Sequence, residues 1–339
     1  MNYTIFGKTN LNVSRSAFGV LPLQRVGMDE AIRLLNMAYD GGINFYDTAR
    51  GYSDSEEKVG NALADKRGKI VIATKTPSTE AEGFWRDLET SLKYLKTDYI
   101  DIYQFHNPKE VPLAGSAGYE CMLKAKEQGK IRFIGVTAHR LDNAEKALES
   151  GLYDTIQFPL SAISSESEIN FAKKCGEKNV GFIAMKAMCG GLLPSAAPSM
   201  AFLRDMDHVV PIWGFQRESE IKEVLELEQN PPALTGELLS DIEKYRSELA
   251  GNFCRGCGYC RPCAAGIEID WCARMPLLLR RAVWQNFMND HWKAEMNKIN
   301  ECTNCGMCKP RCPYGLDTPQ LLKAALKDYN EFCENAGYK

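Results

Sequence analysis

Four side chains of types that move protons are spaced along the first third of this 339-residue chain. They are Asp47, Tyr52, Lys75 and His106. Asp47, Lys75 and His106 each end a short, mostly apolar run, and these runs read INFYD, VIATK and IDIYQFH. Taken singly, each of the four has an ordinary structural explanation, as a turn acid, a packing tyrosine, a solvated cation or a core histidine. Ionisable residues at equivalent ends of successive apolar segments are harder to explain by folding alone, so we treat the four as a candidate catalytic set.

Together these residue types predict a proton donor for an oxygen atom that becomes an alkoxide. A tyrosine has an ordinary pKa of about 10, which is too high for efficient donation near neutral pH. An ammonium group within a few ångström favours the phenolate, so Lys75 is expected to lower the pKa of Tyr52 by about 1–3 units. Asp47 would keep Lys75 charged and in place. A neutral His106 could donate a hydrogen bond to a substrate carbonyl oxygen.

The elements that must position this set alternate strictly between strand and helix up to about residue 230. The predicted strands are 16–20, 43–47, 70–75, 100–106, 133–137, 155–158, 181–185 and 209–213. Strict alternation implies parallel strands with helical crossovers, and eight units close a barrel. An open doubly wound sheet usually carries a Gly-rich phosphate loop after its first strand, and GVLPLQRVG is not such a loop. We therefore predict an α/β fold, a (β/α)8 TIM barrel, with residues 1–12 as a β-hairpin over its N-terminal end.

A second domain is indicated by cysteine content, because ten of the thirteen cysteines fall between Cys254 and Cys333. Two prolines in the segment 230–234 stiffen a linker. We accordingly predict a barrel over 1–230 and a second, α-helical domain over 236–339. Its predicted helices are 240–250, 273–296 and 318–332.

The cysteine spacing predicts two [4Fe-4S] clusters. The second array, Cys-x2-Cys-x2-Cys-x3-Cys-Pro, is the run of bacterial ferredoxins, in which three cysteines bind one cluster and the fourth binds the other. The first predicted cluster takes Cys254, Cys257, Cys260 and Cys312, and the second takes Cys302, Cys305, Cys308 and Cys263. Cys272 is an alternative to Cys263, whose spacing is one residue shorter than usual. Structural zinc is the competing interpretation, but a third cysteine at the same short spacing has no role at a tetrahedral zinc ion.

Charge and composition narrow the class of protein. The formal net charge is −3 and 45% of residues are hydrophobic, so no nucleic-acid partner is indicated. The first residues, MNYTIFGKTN, lack the charged and then apolar pattern of a signal peptide, and no apolar run is long enough to cross a membrane. These features predict a cytoplasmic protein without a membrane partner.

Residues 1–228 resemble an aldo/keto reductase. The segments MNYTIFGKTNLNVSRSAFG, GINFYDTARGY, SEEKVG, IATK, YIDIYQFHNP and GKIRFIGVTAH stand in that family's order and spacing. The resemblance implies that Tyr52 is the general acid, that Lys75 and Asp47 tune it, and that His106 orients the carbonyl group. With its cysteine arrays, the whole chain resembles the aldo/keto reductases that carry a ferredoxin-like C-terminal domain.

The resemblance also implies a bound NADPH or NADH. Family positions that hold the carboxamide correspond to Thr137, Ala138 and Gln157, with an asparagine of the family lost at Ala138. A stacking tyrosine is replaced by Met185, with Lys186 beside it. The segment for the adenosine phosphate corresponds to GFQRESEIKEV, in which Arg217 could meet a 2′-phosphate. The implied nucleotide-binding residues are therefore Thr137, Gln157, Met185, Lys186, Gly214, Phe215, Gln216, Arg217 and Glu223.

Three functions follow as hypotheses. The first is an oxidoreductase that moves hydride between the nicotinamide and a small carbonyl or alcohol substrate. Its clusters would either exchange electrons with a ferredoxin or another carrier or stabilise the C-terminal domain. The second is a one-electron redox enzyme or electron carrier that uses the barrel as a binding domain. The third is a non-catalytic redox sensor, against which the complete set of Asp47, Tyr52, Lys75 and His106 argues.

Overall fold

The structure is a computed structural model that describes residues 1–249, 253–281 and 284–337, apart from the side chain of Arg281. The chain forms two compact units. The first comprises Met1–Ala187 and Ala196–Ile242, and the second comprises Met188–Ser195 and Glu243–Lys339. The segment Met188–Ser195 therefore belongs to the second unit, although it lies within the barrel part of the sequence.

A β-hairpin opens the first unit. Strand β1 (Tyr3–Phe6) pairs antiparallel with β2 (Leu11–Ser14). Its buried residues, among them Phe6 and Val13, belong to one apolar cluster with strand residues of the barrel interior such as Phe45. This packing closes one end of the barrel, as predicted, and the hairpin extends to Ser14 rather than ending at residue 12.

Eight parallel strands follow and close into a barrel, so the predicted (β/α)8 fold is confirmed. The strands are β3 (Ala17–Gly19), β4 (Phe45–Asp47), β5 (Val71–Thr76), β6 (Ile100–His106), β7 (Ile131–Thr137), β8 (Thr155–Pro159), β9 (Gly181–Met185) and β10 (Val209–Gly214). They pair in chain order, and β10 closes the barrel on β3. Their residues are almost all buried, because helices cover the outer face and side chains fill the interior.

One helix follows each barrel strand. These helices are α1 (Met28–Asp40), α2 (Ser55–Leu63), α3 (Ala81–Leu95), α4 (Ala117–Glu127), α5 (Leu141–Ser150), α6 (Glu166–Glu177), α7 (Ala196–Arg204) and α8 (Glu218–Gln229). Local sequence determines where several of them begin. Ser116 accepts a hydrogen bond from the Tyr119 N–H at the start of α4, and Ser165 forms a capping box with Glu168 at the start of α6.

The C-terminal part of the chain is helical. Its helices are α9 (Gly236–Glu248), α10 (Ile269–Cys272), α11 (Met275–Arg281), α12 (Asp290–Asn297) and α13 (Thr318–Asn335). Residues of the cysteine-bearing segments, including Cys254 and Cys272, share an apolar core with residues of α13 such as Leu322 and Tyr329. Within the described ranges, no helix is long and apolar enough to cross a membrane.

One helix predicted in this part needs correction, and the predicted end of another falls outside the described residues. The single helix predicted over 273–296 is wrong, because the segment contains α11, a 3-10 turn (Trp284–Phe287) and α12. Asn289 starts α12 by accepting a hydrogen bond from the Trp292 N–H at 3.0 Å, which favours a new helix there. The predicted helix 240–250 corresponds to α9, and its last residue, 250, lies outside the described residues, as do 282 and 283.

Candidate active site and cluster-binding cysteines

The barrel register places the predicted catalytic residues at the carboxyl ends of neighbouring strands. Asp47 is the last residue of β4, Lys75 lies near the end of β5, and His106 is the last residue of β6. Lys75 pairs with Gln104 across the sheet, and His106 pairs with Thr137. Side chains two residues apart on a strand share one face, so Gln104 and His106 project to the same side. The strands thus bring together residues that are far apart in sequence.

Asp47 and Lys75 form a buried ion pair. The Lys75 Nζ donates to Asp47 Oδ1 at 2.5 Å and to the Thr48 carbonyl oxygen at 2.6 Å. The two side chains are only 2% and 1% exposed. Burial raises the pKa of Asp47 and lowers the pKa of Lys75, and the charge of each residue opposes the effect of burial on its partner. Neither charge is tolerable here without the other.

Two glutamine amides complete the surroundings of the Asp47 carboxylate. Gln104 Nε2 donates to Oδ2 at 3.2 Å, and Gln157 Nε2 donates to Oδ1 at 3.3 Å. Both hydrogen bonds lower the pKa of Asp47 and so favour its charged form. Gln104 was not singled out from the sequence. Its signal was a polar residue inside the apolar run IDIYQFH, two positions before His106.

Tyr52 lies in the loop between β4 and α2, where its N–H donates to the Ala49 carbonyl oxygen at 3.0 Å. Its ring stands nearly perpendicular to the His106 ring, at 82° with 5.5 Å between ring centroids. The Lys75 Nζ is 5.0 Å from the centroid of the Tyr52 ring. The structure therefore gathers all four predicted catalytic residues around one point.

The expected lowering of the Tyr52 pKa is wrong for the protein without substrate. Burial, followed by the negative charge of Asp47, raises the pKa of Tyr52 well above its ordinary value. The reason is geometric, since the ammonium of Lys75 donates to Asp47 and Thr48 and lies over the ring face rather than at the phenol oxygen. The phenol is consequently held in its protonated form.

His106 is neutral, as the sequence predicted. Burial, with a smaller contribution from the charge of Lys75, lowers the pKa of His106 to about 3. A second histidine that sequence reasoning missed, His139, lies buried just after β7. Burial, followed by the positive charge of Lys186, lowers the pKa of His139 well below the ordinary value. Its only sequence signal was a polar residue shortly after a strand.

The residues predicted to hold the nicotinamide lie at the end of β7, in the middle of β8 and at the end of β9. Thr137 Oγ1 accepts from the Asn107 N–H at 2.8 Å. Within the described residues, Gln157 Oε1 is buried and has no hydrogen-bond partner, so it can accept from the NH2 group of a carboxamide. Met185 ends β9 and is buried, and Lys186 follows it with a φ of 60°. The orphaned amide oxygen fits a nicotinamide at this place.

The predicted phosphate segment runs from the end of β10 into α8. Gly214 ends β10, and the Phe215 ring packs edge-on against Phe18 with 5.0 Å between ring centroids. A carboxylate oxygen of Glu220 accepts from the backbone N–H groups of Gln216 at 2.8 Å and Arg217 at 3.1 Å. Those N–H groups are therefore already bonded, and the exposed Arg217 side chain remains as a cationic group at the start of the segment.

Glu223, also implied in nucleotide binding, is engaged by the protein. One of its carboxylate oxygens accepts from the Ala196 N–H at 2.8 Å, at the first residue of α7. The acid thus satisfies a backbone donor at a helix N-terminus, where a negative charge is also favourable.

Two cavities in the C-terminal unit are lined by the predicted cluster ligands. One, which we name the Cys254 cavity, is lined by Cys254, Cys257, Cys260 and Cys312. The other, named the Cys302 cavity, is lined by Cys302, Cys305, Cys308 and Cys263, with Cys260 lying between the two. None of these eight cysteines is joined in a disulfide bond. Each cavity is thus lined by the four cysteines that the sequence analysis assigns to one [4Fe-4S] cluster, and the Cys302 cavity is also lined by Cys260.

The alternative ligand Cys272 lines neither cavity. Its side chain is fully buried, and its sulfur lies 3.7 Å from the carbonyl oxygen of Glu295. Burial raises the pKa of the Cys272 thiol to about 12. Among the described residues, no three His, Cys, Asp or Glu side chains meet at a point where they could hold a single metal ion.

Comparison with known proteins supports the two parts separately. A family model described as the aldo/keto reductase family matches residues 14–232, and a model described as a 4Fe-4S dicluster domain matches residues 253–317. The aldo-keto reductase YhdN of Bacillus subtilis is 32% identical over 213 residues, which are 57% of this chain and 64% of that protein. L-galactose dehydrogenase of Arabidopsis thaliana is 30% identical over 213 residues, 57% of this chain and 67% of that protein.

The fold has solved counterparts as well. The aldo-keto reductase AKR11C1 from Bacillus halodurans, in its holo form, superposes with a TM-score of 0.62 at 22% identity. The match covers 72% of this chain and 96% of that one. The first family model covers well over half of the sequence. The chain belongs to the aldo/keto reductase family and carries a 4Fe-4S dicluster domain after its barrel.

Proposed function

We propose that this chain transfers hydride between NADPH or NADH and a small carbonyl or alcohol substrate, with Tyr52 exchanging the proton at the substrate oxygen. The observation that carries the proposal is the grouping of the Tyr52 phenol and the neutral His106 beside the buried Asp47–Lys75 pair. A bound nicotinamide would supply the hydride to the carbonyl carbon. Gln157, Thr137 and Lys186 are the residues proposed to hold its ring.

The protonation states of the site suit carbonyl reduction. Tyr52 is protonated at neutral pH, so it carries the proton that the reaction needs, and its raised pKa makes that proton harder to release before negative charge develops on the substrate oxygen. His106 is neutral because its pKa is about 3, so it can donate one N–H to the carbonyl oxygen without adding a charge. An alkoxide is a stronger base than a phenolate, which favours proton transfer from Tyr52 once negative charge develops on the substrate oxygen.

The phenolate left after proton transfer needs a cation. Lys75 is the ammonium group close to the Tyr52 ring, and Asp47 holds it charged in a site that would otherwise favour the neutral amine. Gln104 and Gln157 in turn hold the Asp47 carboxylate. We therefore propose that Tyr52 contacts the substrate, that Lys75 stabilises the Tyr52 phenolate, and that the remaining residues keep Lys75 charged.

For the C-terminal unit we propose one [4Fe-4S] cluster in the Cys254 cavity and one in the Cys302 cavity. A nicotinamide moves two electrons at once whereas each cluster moves one, so direct coupling needs both clusters or an external one-electron carrier such as a ferredoxin. Clusters that only stabilise the C-terminal fold are the alternative to electron exchange. Residues 1–230 and 236–339 are the proposed limits of the two functional parts.

The Tyr52→Phe variant tests the catalytic proposal. It keeps the aromatic ring beside His106 and removes the proton, so we expect kcat for a panel of aldehydes and ketones to fall by about 10²–10⁴. Nucleotide affinity, measured by fluorescence titration, should remain unchanged. Tyr3→Phe, which removes an exposed phenol from the hairpin, is the matched control and should retain full activity. Equal rates for Tyr52→Phe and the unaltered protein would refute the assignment.

A further inference from the structure

The loop that follows β9 is held by an arginine of the C-terminal unit. Met188–Ser195 comes directly after the proposed nicotinamide-binding residues Met185 and Lys186, and it belongs to the same compact unit as the cysteines. Within that unit, Arg274 Nη2 donates to the Gly190 carbonyl oxygen at 2.7 Å. Arg274 is only 8% exposed, so its guanidinium is a nearly buried positive charge. Such a charge interacts strongly with its surroundings.

The same guanidinium lies against the loop that carries the first cluster ligands. Gly256 stands between Cys254 and Cys257, and a Cβ atom at this glycine would lie 2.1 Å from Arg274 Nη1. The Gly256 N–H lies 3.4 Å from Cys254 Sγ. Gly256 has a φ of 63° and so adopts a conformation that favours glycine. Glycine here therefore allows the guanidinium to approach the backbone beside a proposed ligand.

We propose that Arg274 is a positioning residue that couples the cluster in the Cys254 cavity to the loop Met188–Ser195, so that the reduction potential of that cluster and nucleotide binding depend on each other. This inference rests on the proposed function, which places a cluster in that cavity and a nucleotide beside Met185 and Lys186. Arg274 acts through the two backbone segments that it contacts, at Gly190 and at Gly256.

The coupling follows from charge. Reduction of a [4Fe-4S] cluster in the Cys254 cavity by one electron, supplied by an external one-electron donor, would add one negative charge next to the ligand loop that the guanidinium contacts at Gly256. The fixed positive charge stabilises the reduced form and so raises the reduction potential. The guanidinium also holds the Gly190 carbonyl group, so a change in its attraction to the cluster changes its hold on the loop. Linkage requires the reverse effect, in which nucleotide binding to the loop side shifts the potential.

An anaerobic redox titration followed by EPR tests the coupling in the full-length protein with its clusters. Midpoint potentials are measured with and without saturating NADPH, and in parallel with NADH. The signal of the cluster in the Cys254 cavity is identified as the one that a Cys257→Ser variant alters. We expect Arg274→Met to lower the midpoint potential of this cluster alone and to abolish its shift on nucleotide addition.

Two further variants make the result specific. Arg280→Met removes an exposed arginine that pairs with Asp328, and it should leave both potentials and the nucleotide-induced shift unchanged. Arg274→Lys keeps the positive charge, so we expect the midpoint potential of this cluster to lie close to that of the unaltered protein. If Arg274→Met retains no iron, the potential of Arg274→Lys tests the coupling instead. An unchanged potential and an unchanged nucleotide-induced shift in the Arg274 variants would overturn the coupling.

Failure of the proposed function gives a different result. Iron content and nucleotide affinity of the unaltered protein are measured first. A protein that lacks clusters or binds neither NADPH nor NADH would overturn the proposed function and with it this inference. A protein that has both, but whose cluster potential does not respond to Arg274, would overturn this inference alone.

Discussion

The Nζ of Lys75 lies 2.5 Å from Oδ1 of Asp47 in a part of the barrel that is closed to solvent. The two residues are 28 positions apart in the sequence, and the adjacent strands β4 and β5 bring them together. Removing one partner would leave an uncompensated buried charge, which costs about 3–5 kcal/mol. The ion pair therefore depends on the hydrogen bonds that keep the Asp47 carboxylate ionised.

Gln104 donates one of the hydrogen bonds that keep Asp47 ionised. The Gln104→Leu variant should therefore shift the pH dependence of catalysis. Its hydrogen bond to Asp47 favours the carboxylate, and a hydrogen bond to a charged group contributes about 1.5–3 kcal/mol. Loss of the bond should raise the pKa of Asp47 and move the acid limb of the kcat profile upward by about 1–2 pH units. Steady-state carbonyl reduction across pH measures this shift.

The exposed Gln128, at the end of α4, offers a matched control. Gln128→Leu should give the profile of the unaltered protein. If Gln104→Leu lowered kcat equally at every pH, the residue would serve packing only.

The half-buried, neutral His106 should make stability depend on pH. Its pKa is about 3 in the folded protein and about 6.5 in an unfolded chain, so the unfolded state binds more protons between these values. The free energy of unfolding should therefore fall as the pH falls from about 7 to about 5, and His106 should account for about 2 kcal/mol of that fall. Anaerobic urea unfolding of His106→Gln should show a smaller loss over this range.

Replacement of the exposed His291 by glutamine is the comparison variant for this experiment. It should keep the full loss of stability on acidification. A His106→Gln protein with that same full loss would show that His106 does not stay neutral.

Cysteine variants should distinguish the ligands of the second cluster. Cys263 lines the Cys302 cavity, whereas Cys272 lines neither cavity. Cys263→Ser should alter the EPR signal of one cluster or reduce the iron content from about eight to about four atoms per chain. Cys272→Ser should change neither the EPR signals nor the iron content. An effect of Cys272→Ser with none of Cys263→Ser would assign Cys272 as the ligand. Zinc found in place of iron would contradict the proposal of two [4Fe-4S] clusters.

Arg217 should decide between the two nucleotides. Its side chain is exposed at the start of α8, where Glu220 holds the Arg217 N–H. A charge-assisted bond to a 2′-phosphate contributes about 1.5–3 kcal/mol, so Arg217→Ala should raise KM for NADPH at least about 10-fold and leave KM for NADH unchanged. Lys222→Ala, on the same helix and paired with Glu218, is the matched control. Equal effects on both nucleotides would exclude a phosphate-specific role.

Alternation of apolar runs was sufficient to predict the barrel and, to within one residue, the carboxyl ends of its strands. The predicted and observed limits of β6, Ile100–His106, are identical, because the run is long, apolar and bounded by polar residues. The break before α12 could not be predicted, since it depends on a local cap at Asn289 within an otherwise helical pattern. The role of Gln104 could not be predicted either, because it depends on the register between neighbouring strands. The pattern of residues within one strand does not contain that register.

The pKa of Tyr52 shows the limit of arguing from residue types alone. The sequence indicates that a lysine and a tyrosine lie near each other, but it does not give the direction of the ammonium group. The structure directs the Nζ of Lys75 to Asp47 and Thr48, and burial then raises the pKa of Tyr52. Proximity was predicted correctly, and its electrostatic effect was not.

The most direct test of the account is the origin of the new carbon-bound hydrogen. The unaltered protein is incubated anaerobically in ordinary water with a carbonyl substrate and nicotinamide nucleotide deuterated at C4, and the alcohol product is analysed by mass spectrometry. Hydride transfer beside Tyr52 predicts deuterium on the carbinol carbon of the product. A product without deuterium in water, which gains it from D2O when the nucleotide is unlabelled, would show one-electron reduction followed by protonation and would contradict the proposed function.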